Sequence, residues 1–346
     1  MALLSIDEVK VGMVLNKDIE NEKTGAILLA SGTVLNRKNI LTLKYLNIKY
    51  VDVYTDKNKD DFLIIDDDGF KEKYETFSNK ARTIMNNARF GNKLAVNEIG
   101  ELMNDMIDEV TKSNNILGRL RQIEEDNDYT FQHSLDVCML ATMIGKWLGY
   151  SKIELKQLSL AALFHDIGKV KIPDSIINKP GKLLEREFEL VKKHTILGFN
   201  ILNETIGISK NVAFGALQHH EREDGSGYPL GVKSNKIHEY AKIIAICDIF
   251  DAMTTDRIYR KKQSPFLVAE HISSDSFSTL DPRISMVFIN NISKFYVGNI
   301  VKLSNGDIGE IVYINPQLPT RPLVKVEDHF IDLLTVKDLY VEDVIR

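Results

Sequence analysis

Five histidines and two aspartates lie along a succession of predicted helices and constrain how those helices can pack. They are His133, the adjacent pair His165 and Asp166, His194, the adjacent pair His219 and His220, and Asp248. A charged carboxylate on an apolar helix face is costly to bury unless it is paired or bound to a metal. The pattern therefore predicts a helical core in which these side chains point toward a shared polynuclear metal site.

Apolar periodicity predicts the direction of these side chains. His133 begins a stripe with the spacing of one buried helix face. The stripe continues through Val137, Leu140, Ala141, Ile144 and Leu148. The apolar run from Leu158 to Phe164 ends at His165 and Asp166, just before Gly168, a residue suited to ending a helix. We therefore expect both segments to present their polar groups to the interior.

The residue types indicate the class of metal. Neutral imidazole and carboxylate together suit borderline divalent metals such as iron, manganese or zinc, rather than calcium or magnesium alone. A single histidine on an apolar face is more often a core residue with a hydrogen-bond partner than a ligand. Here that explanation would have to hold five times, so the sequence favours a metal site.

An ordered series of motifs surrounds these residues between Tyr129 and Pro282. It comprises His165-Asp166-Ile167-Gly168-Lys169, Ile172-Pro173-Asp174, Lys179-Pro180-Gly181-Lys182-Leu183, His194 with Gly198, the run from His219 to Pro229, the run from Asp248 to Met253, and Arg257, Tyr259 and Arg260. A bare His-Asp dipeptide is frequent by chance, but this series resembles the HD-GYP domain, a branch of the HD superfamily of metal-dependent phosphohydrolases. The resemblance implies a central, all-α, HD-type helical bundle.

The resemblance also implies an activity, the hydrolysis of the bacterial second messenger cyclic di-GMP to pGpG, onward to GMP, or both. Two divalent metals, iron or manganese, would activate a bridging hydroxide that attacks phosphorus. By the same resemblance, one metal is held by His133, His165, Asp166 and Asp248, and the other by Asp166, His194, His219 and His220. Asp166 is thereby expected to be both a bridging ligand and a catalytic residue.

One departure from the family bears on the number of metals. Some members have a glutamate one helical turn before the first histidine, which adds a ligand for a third metal. This chain has Tyr129 there. A phenol with a pKa near ~10 is a poor ligand at neutral pH. The sequence therefore predicts two metals rather than three.

The resemblance places further residues beside the metals. By the resemblance, Lys169 and Arg257 would contact phosphate, and Lys169 is also expected to be catalytic. Arg260 stands where the family has a basic residue. The alternative for each of the three is an ordinary surface charge. A nearby loop contains Gly225, Gly227, Tyr228 and Pro229. In the family this loop is linked to partner-protein contacts, so it is a candidate surface for a signalling partner as well as a plain turn.

Changes in pattern divide the chain into four parts. Residues 1–56 have short apolar runs around one helical segment and are expected to form a small α+β module. Residues 57–113 begin as an acidic linker and continue as a helical connector. Residues 114–294 are expected to form the HD-GYP domain, and a hairpin pattern predicts a small, barrel-like, all-β module at 295–346.

The connector has an apolar stripe with helical spacing. Its members are Ile99, Leu102, Met103, Met106, Ile107 and Val110. The stripe fits a homodimer interface and a helix packed on its own catalytic domain equally well.

Composition bears on partners and location. The net charge of −5 and the lack of a long basic tract give no reason to expect DNA binding. No apolar run reaches about 18 residues, so no membrane span is expected. Cys138 and Cys247 are expected to be reduced, buried thiols, which, without an export signal, indicates the cytoplasm.

Two functional alternatives stay open at this point. An HD-type phosphohydrolase of another cyclic nucleotide, such as cyclic GMP-AMP, would use the same ligands, because nothing in one sequence reports base choice. A non-enzymatic module that binds a cyclic dinucleotide or a partner protein would need no turnover. The complete set of ligand candidates favours an enzyme.

Overall fold

The computed structural model describes residues 67–90, 94–112, 116, 129–255, 261–327 and 329–345, and parts of the first 66 residues (2–6, 8, 9, 13, 15, 17, 19, 20, 27–29, 33, 35, 37–46 and 48–53). The chain divides into two compact units, Met1–Phe70 and Lys71–Arg346.

The described residues of the first unit include short antiparallel strand pairs and a helix. Strand β1 (Ala2–Ser5) pairs with β4 (Tyr50–Val53), and β2 (Ile19–Glu20) pairs with β3 (Ile27–Leu29). Helix α1 spans Arg37–Tyr45. An apolar cluster that includes Leu15, Leu35, Leu43, Val51 and Val53 is buried within this unit. The α+β module expected at residues 1–56, and its boundary, stay predictions because the described residues cover only part of it.

Helices dominate the described residues from Asp67 onward. They are α2 (Asp67–Arg89), α3 (Val96–Lys112), α4 (Tyr129–Trp147), α5 (Lys152–Leu163), α6 (Asp174–Ile177), α7 (Glu185–Lys192), α8 (His194–Asn203), α9 (Lys210–Gln218), α10 (Glu239–Thr254), α11 (Pro265–Asp275) and α12 (Pro282–Ile292). Three 3₁₀ segments lie at Ile167–Lys171, Ser234–Lys236 and Ser293–Tyr296. The all-α core implied by the motif series is thus confirmed.

Local sequence signals explain where several of these helices begin. The Ser151 side chain accepts from the backbone N–H of Glu154 while the Glu154 carboxylate accepts from that of Ser151, which is a capping box at the start of α5. Asp281 caps α12 in the same way by accepting from Ile284, and Pro282 occupies the first turn. Among the described residues, no helix combines the length and apolar character needed to span a bilayer.

Helix α4 lies at the centre of the bundle. Its residues from 133 to 145 are buried on every side, which is the property of a core helix rather than a surface one. It packs against α3, α5, α10 and α12. The predicted apolar stripe of α3 packs onto α4 and α5, with Ile99, Met103, Met106 and Val110 almost fully buried. This stripe therefore serves packing within the chain, and a homodimer interface must be sought elsewhere.

The C-terminal region forms an antiparallel sheet. Its strands are β5 (Ile300–Leu303), β6 (Ile308–Tyr313), β7 (Leu323–Val326), β8 (His329–Asp332) and β9 (Val341–Ile345), in the order β8-β7-β6-β5-β9. The β5–β6 hairpin turns through Gly306, whose φ of +94° favours glycine. Strands β8 and β9 occupy the two edges and do not pair with each other among the described residues. The barrel-like closure therefore stays a prediction.

The sheet shares its apolar core with the helices. Val301, Leu303 and Ile311 on its inner face cluster with Phe266 of α11 and with Tyr296. The Phe266 and Tyr296 rings lie 5.4 Å apart between centroids. The boundary drawn at residue 295 therefore separates two sequence patterns that share one buried core.

Candidate metal centre

Helix interiors and helix ends bring the seven predicted ligands together. His133 lies in α4 and Asp248 in α10, while His194 is the first residue of α8. His165 and Asp166 follow α5, and His219 and His220 follow α9. The seven side chains thus come from five different parts of the bundle and converge on its interior.

Asp166 is the centre of the cluster. Its Oδ1 lies 3.2 Å from His194 Nε2 and 3.8 Å from His219 Nε2. Its Oδ2 lies 3.3 Å from His165 Nε2 and 4.0 Å from His133 Nε2. Each carboxylate oxygen therefore faces a different pair of imidazoles, as a bridging carboxylate requires.

Asp248 joins the cluster through His133 and His220. Its Oδ1 lies 3.2 Å from His133 Nε2, and its Oδ2 lies 3.9 Å from His220 Nδ1. Two groups, His133 with His165 and Asp166, and His194 with His219 and His220, each have donor atoms within 4.8 Å of one another. Both groups could hold a divalent metal.

Unsatisfied buried atoms test whether a metal fits this centre. His165 Nε2 and Asp166 Oδ1 are buried and have no hydrogen-bond partner. A buried polar atom without a partner costs about 1 to 3 kcal/mol, and more when the group is charged. Both atoms point to the middle of the cluster and are ordinary metal donors, so the residues present fit a metal.

The same hydrogen bond orients three of the imidazoles. The Nδ1 atom of each donates to the carbonyl of the residue three positions earlier. The pairs are His165 with Ala162 at 2.7 Å, His194 with Val191 at 2.6 Å and His219 with Ala216 at 2.9 Å. This bond leaves Nε2 without its proton in the neutral ring and aims its lone pair at the centre.

His133 is oriented by a residue that the sequence reasoning did not select. Its Nδ1 donates to Asp251 Oδ2 at 2.5 Å, and Asp251 is buried. Asp251 also accepts from Thr255 Oγ1 at 3.3 Å. A carboxylate behind a ligating histidine is a common arrangement in metal sites. The available signal was position, because Asp251 follows Asp248 by three residues on the same helix.

Burial and charge set the ionisation of the cluster. Burial lowers the pKa of His194, His219 and His220, the last to about 3, so these rings are neutral. Burial opposes the charged form of His133, but its bonds to Asp248 and Asp251 raise its pKa to about 10. Three imidazoles are thus ready to ligate, and His133 must lose a proton first.

Both carboxylates stay ionised in spite of their burial. Burial alone would raise the pKa of Asp166, yet the charges of Lys169 and His165 hold it well below its usual range. The hydrogen bond and charge of His133 likewise lower the pKa of Asp248 against the effect of burial. The centre therefore offers two anionic ligands.

Lys169 lies at the edge of the cluster. Its ammonium contacts Asp166 Oδ2, and its side chain is partly exposed. Arg257 and Arg260, the other two predicted phosphate contacts, lie outside the described residues.

The predicted glycine-rich loop lies against His220. The ring of Tyr228 lies 4.6 Å from that of His220, and the Tyr228 N–H donates to the His220 carbonyl at 3.2 Å. A Cβ on Gly227 would come within 2.4 Å of the same carbonyl, so only glycine permits this approach. The loop thus covers one side of the centre, with Gly225 at a φ of +86° in its turn and Pro229 joined to Tyr228 by a cis peptide bond.

Glu221 fastens this loop and was also missed by the sequence reasoning. Its buried carboxylate accepts from the backbone N–H of Leu230 at 2.7 Å and of Val232 at 3.2 Å. A side chain that bonds backbone groups nine and eleven residues away gives no periodic signal in the sequence. Its place directly after His219 and His220 was the sole clue.

Comparison with known proteins identifies a matching family model and several similar proteins. The HD domain family model matches residues 102–284. A cyclic di-GMP phosphodiesterase of Pseudomonas aeruginosa is 32% identical over 244 residues, which is 70% of this chain and 59% of that protein. A 3'3'-cGAMP-specific phosphodiesterase of Vibrio cholerae is 37% identical over 175 residues, or 50% of this chain and 40% of that protein.

A solved structure shares the fold. It is an HDG"Y"P protein of Bdellovibrio bacteriovorus, with a TM-score of 0.56 and 17% identity, covering 85% of this chain and 99% of that one. The chain spans about half the length of the curated relatives it matches. Because the family model covers more than half of its residues, including all seven clustered side chains, the chain belongs to the HD domain family.

Proposed function

We propose that the chain is a metal-dependent phosphodiesterase that hydrolyses cyclic di-GMP to pGpG, GMP or both. The observation that supports this best is Asp166, whose two oxygens face two separate histidine groups. Enzymes that cleave phosphodiesters commonly use two metals about 3.5 to 4 Å apart, joined by shared ligands. Similarity to named cyclic dinucleotide phosphodiesterases supports the substrate class.

The proposed ligand sets share Asp166. His133, His165, Asp166 and Asp248 would hold one metal, and Asp166, His194, His219 and His220 the other. Iron or manganese suits this imidazole-rich set. When bound, the two metals would supply an activated water and offset negative charge on the phosphoryl oxygens. Because Tyr129 stands where a third metal would need a carboxylate, we propose two metals.

The remaining polar residues would position the substrate. Lys169 is tethered to Asp166 in this structure and is partly exposed, so its ammonium can turn toward a phosphoryl oxygen. Arg257 and Arg260 are proposed to bind phosphate through their guanidinium groups. His133 is kept in place by Asp251, which fixes the ring while its Nε2 faces the centre.

An exposed loop residue supports the proposed partner surface, and two buried cysteines support the proposed location. The tip of the loop near Gly225, Gly227, Tyr228 and Pro229 exposes Leu230, which leaves a surface for a signalling-protein partner. Cys138 and Cys247 are free and buried, which suits the cytoplasmic location that we propose. A homodimer is compatible with this arrangement.

A second substrate has support of its own. The Vibrio cholerae relative is named for 3'3'-cGAMP, and the described ligands do not distinguish guanine from adenine. Competition between cyclic di-GMP and cyclic GMP-AMP for the same protein would rank the two substrates by kcat/KM.

The test of the proposed function compares Asp166→Asn with the wild type. The substitution keeps the side-chain volume and removes the bridging charge. We expect turnover of cyclic di-GMP by protein loaded with iron or manganese without oxygen to fall at least about 100-fold. Bound metal, measured by elemental analysis, should fall from about two per chain.

Asp105→Asn is the matched control, because Asp105 is an exposed residue of α3. Its turnover and metal content should equal those of the wild type. Full activity of Asp166→Asn, or of wild-type protein stripped of metal, would contradict the proposed mechanism.

A further inference from the structure

A series of aromatic rings leads from the metal centre to the surface. The Tyr228 ring lies 4.6 Å from the His220 ring at an interplanar angle of 31°. Tyr228 also contacts Phe188 of α7 edge to face, with ring centroids 6.3 Å apart and an angle of 78°. The route from a candidate ligand to Phe188 is therefore continuous.

Phe188 is not part of the apolar core. It is 43% exposed, and α7, the helix that carries it, has no buried residue. Burial in the apolar core therefore does not explain an aromatic residue at this position. Single exposed apolar residues are common on proteins, so exposure alone would carry no inference.

Lys192 provides the second observation. Its ammonium lies 5.0 Å from the centroid of Phe188 and 5.5 Å from that of Tyr228. It is also held by Glu189 at 2.6 Å. A cation thus lies over both rings beside the centre, which joins an aromatic surface to a hydrogen-bond donor.

We infer that Phe188 and Tyr228 form a stacking surface for one nucleobase of the cyclic dinucleotide. This inference rests on the proposed function. If a phosphodiester of the substrate lies at Asp166, a single ribose joins that phosphate to each base. A base must therefore lie close to the centre. Stacking on an aromatic side chain is tolerant of base identity. Lys192 adds a donor suited to acceptor atoms on a purine edge, such as N7 and O6 of guanine.

The alternative is that Phe188 only packs against Tyr228 and so steadies the loop. The two roles separate by substitution. Phe188→Tyr keeps a ring for stacking, Phe188→Leu keeps apolar bulk without a ring, and Phe188→Ala removes both. Phe277→Ala is the control, because Phe277 is 90% exposed and lies beyond α11.

The experiment measures kcat and KM for cyclic di-GMP, and competitive inhibition by GMP and by ribose 5-phosphate. Phe188→Ala and Phe188→Leu should raise KM about 5- to 100-fold. Their kcat should stay within about threefold of wild type, since the metal ligands are untouched. Inhibition by GMP should weaken in parallel, inhibition by ribose 5-phosphate should not, and Phe188→Tyr and Phe277→Ala should resemble wild type.

Three results would overturn the inference. They are an unchanged KM in Phe188→Ala, a wild-type KM in Phe188→Leu, and an equal weakening of both inhibitors, which would place the effect at the metal centre. If wild-type protein hydrolyses no cyclic dinucleotide, the proposed function fails separately. Calorimetric binding of GMP and of ribose 5-phosphate to the metal-loaded variants would then still decide whether Phe188 stacks on a base.

Discussion

At the level of single residues, the centre depends on an ionised carboxylate in a fully buried position. Asp166 is only 3% exposed, and a buried charge without a partner is strongly unfavourable. Lys169 and the surrounding histidines provide partners for this charge. In the proposed function, metal held by Asp166 would compete with Lys169 for this charge, and the Lys169 ammonium would then be free to meet substrate.

His133 leads to a prediction about pH. Its pKa in the metal-free protein is about 10, because Asp248 and Asp251 stabilise its proton against the effect of burial. A histidine must be neutral to ligate, so metal binding below that pH displaces the proton. We expect about one proton per chain to be released from His133 on metal loading at pH 7.5, and metal affinity to rise as pH is raised toward 10.

Calorimetric titration of metal-free protein with Mn²⁺ in two buffers of different ionisation enthalpy measures this proton. Asp251→Asn is the matched variant, because it keeps the ring and removes one of the two anions that stabilise its proton. It should release fewer protons and bind metal about 10- to 100-fold more weakly. Identical heats in both buffers for the wild type would show that His133 is already neutral.

The sequence predicted residues whose role follows from local periodicity. His133 and Asp248 share helix faces with apolar residues, so their inward direction could be read directly, and the structure brings them within 3.2 Å. Asp251 and Glu221 were missed because their roles depend on partners distant in the chain. Asp251 meets His133 across 118 positions, a contact that no spacing rule reports.

At the level of elements, the ends of helices orient the ligands. The last four carbonyls of an α-helix have no partner within the helix. Ala162, Val191 and Ala216 lie in the last turns of α5, α7 and α9, and each accepts from a histidine just beyond or at the helix end. The chain thus satisfies carbonyls at the helix ends and fixes three imidazoles with the same bonds.

A close crossing of two elements brings Asp166 to His194. Gly168 was predicted to end a helix, but it lies inside the 3₁₀ segment Ile167–Lys171, five residues beyond Leu163, the last residue of α5. A Cβ there would lie 1.9 Å from the His194 carbonyl and 2.5 Å from the Gly198 nitrogen. Glycine is therefore required at position 168 because the backbone of α8 leaves no room for a side chain. This is a tertiary property that the sequence alone did not reveal.

Gly168→Ala should accordingly damage the centre without changing a ligand. The backbone atoms of α8 cannot move aside as a flexible side chain can, so the 3₁₀ segment and α8 must separate. We expect a loss of stability of at least about 2 kcal/mol and loss of metal from the centre. Thermal unfolding and elemental analysis measure the two effects.

Gly100→Ala provides the comparison. A Cβ on Gly100, within α3, would meet only the flexible end of Lys156. Alanine is favoured over glycine inside a helix by about 0.5 to 1 kcal/mol, so this variant should be as stable as wild type or more stable. Equal behaviour of the two variants would mean that the crossing at Gly168 does not constrain the centre.

At the level of the whole molecule, the C-terminal sheet and the helical bundle share one core. Phe266, near the start of α11, is buried among Val301, Leu303 and Ile311 of the sheet. Arg321 reinforces the contact by pairing with Glu270 of α11 at 2.8 Å. Sequence pattern separates these regions by period, and their boundary stays a prediction. The shared core arises from side chains that each look ordinary within their own element.

If the core is shared, a cavity at its centre should also destabilise the helical bundle. Trp147, the single tryptophan of the chain, ends α4 and contacts Phe295, so its fluorescence reports on the bundle. Phe266→Ala should lower the free energy of unfolding by about 3 to 5 kcal/mol. In urea titrations of metal-free protein, the midpoint of the Trp147 transition should therefore fall.

Phe330→Ala is the control, because Phe330 lies on the exposed side of β8. It should change the free energy of unfolding by no more than about 0.5 kcal/mol. If Phe266→Ala left the Trp147 transition unchanged while circular dichroism showed the sheet unfolding earlier, the sheet would be an independent unit.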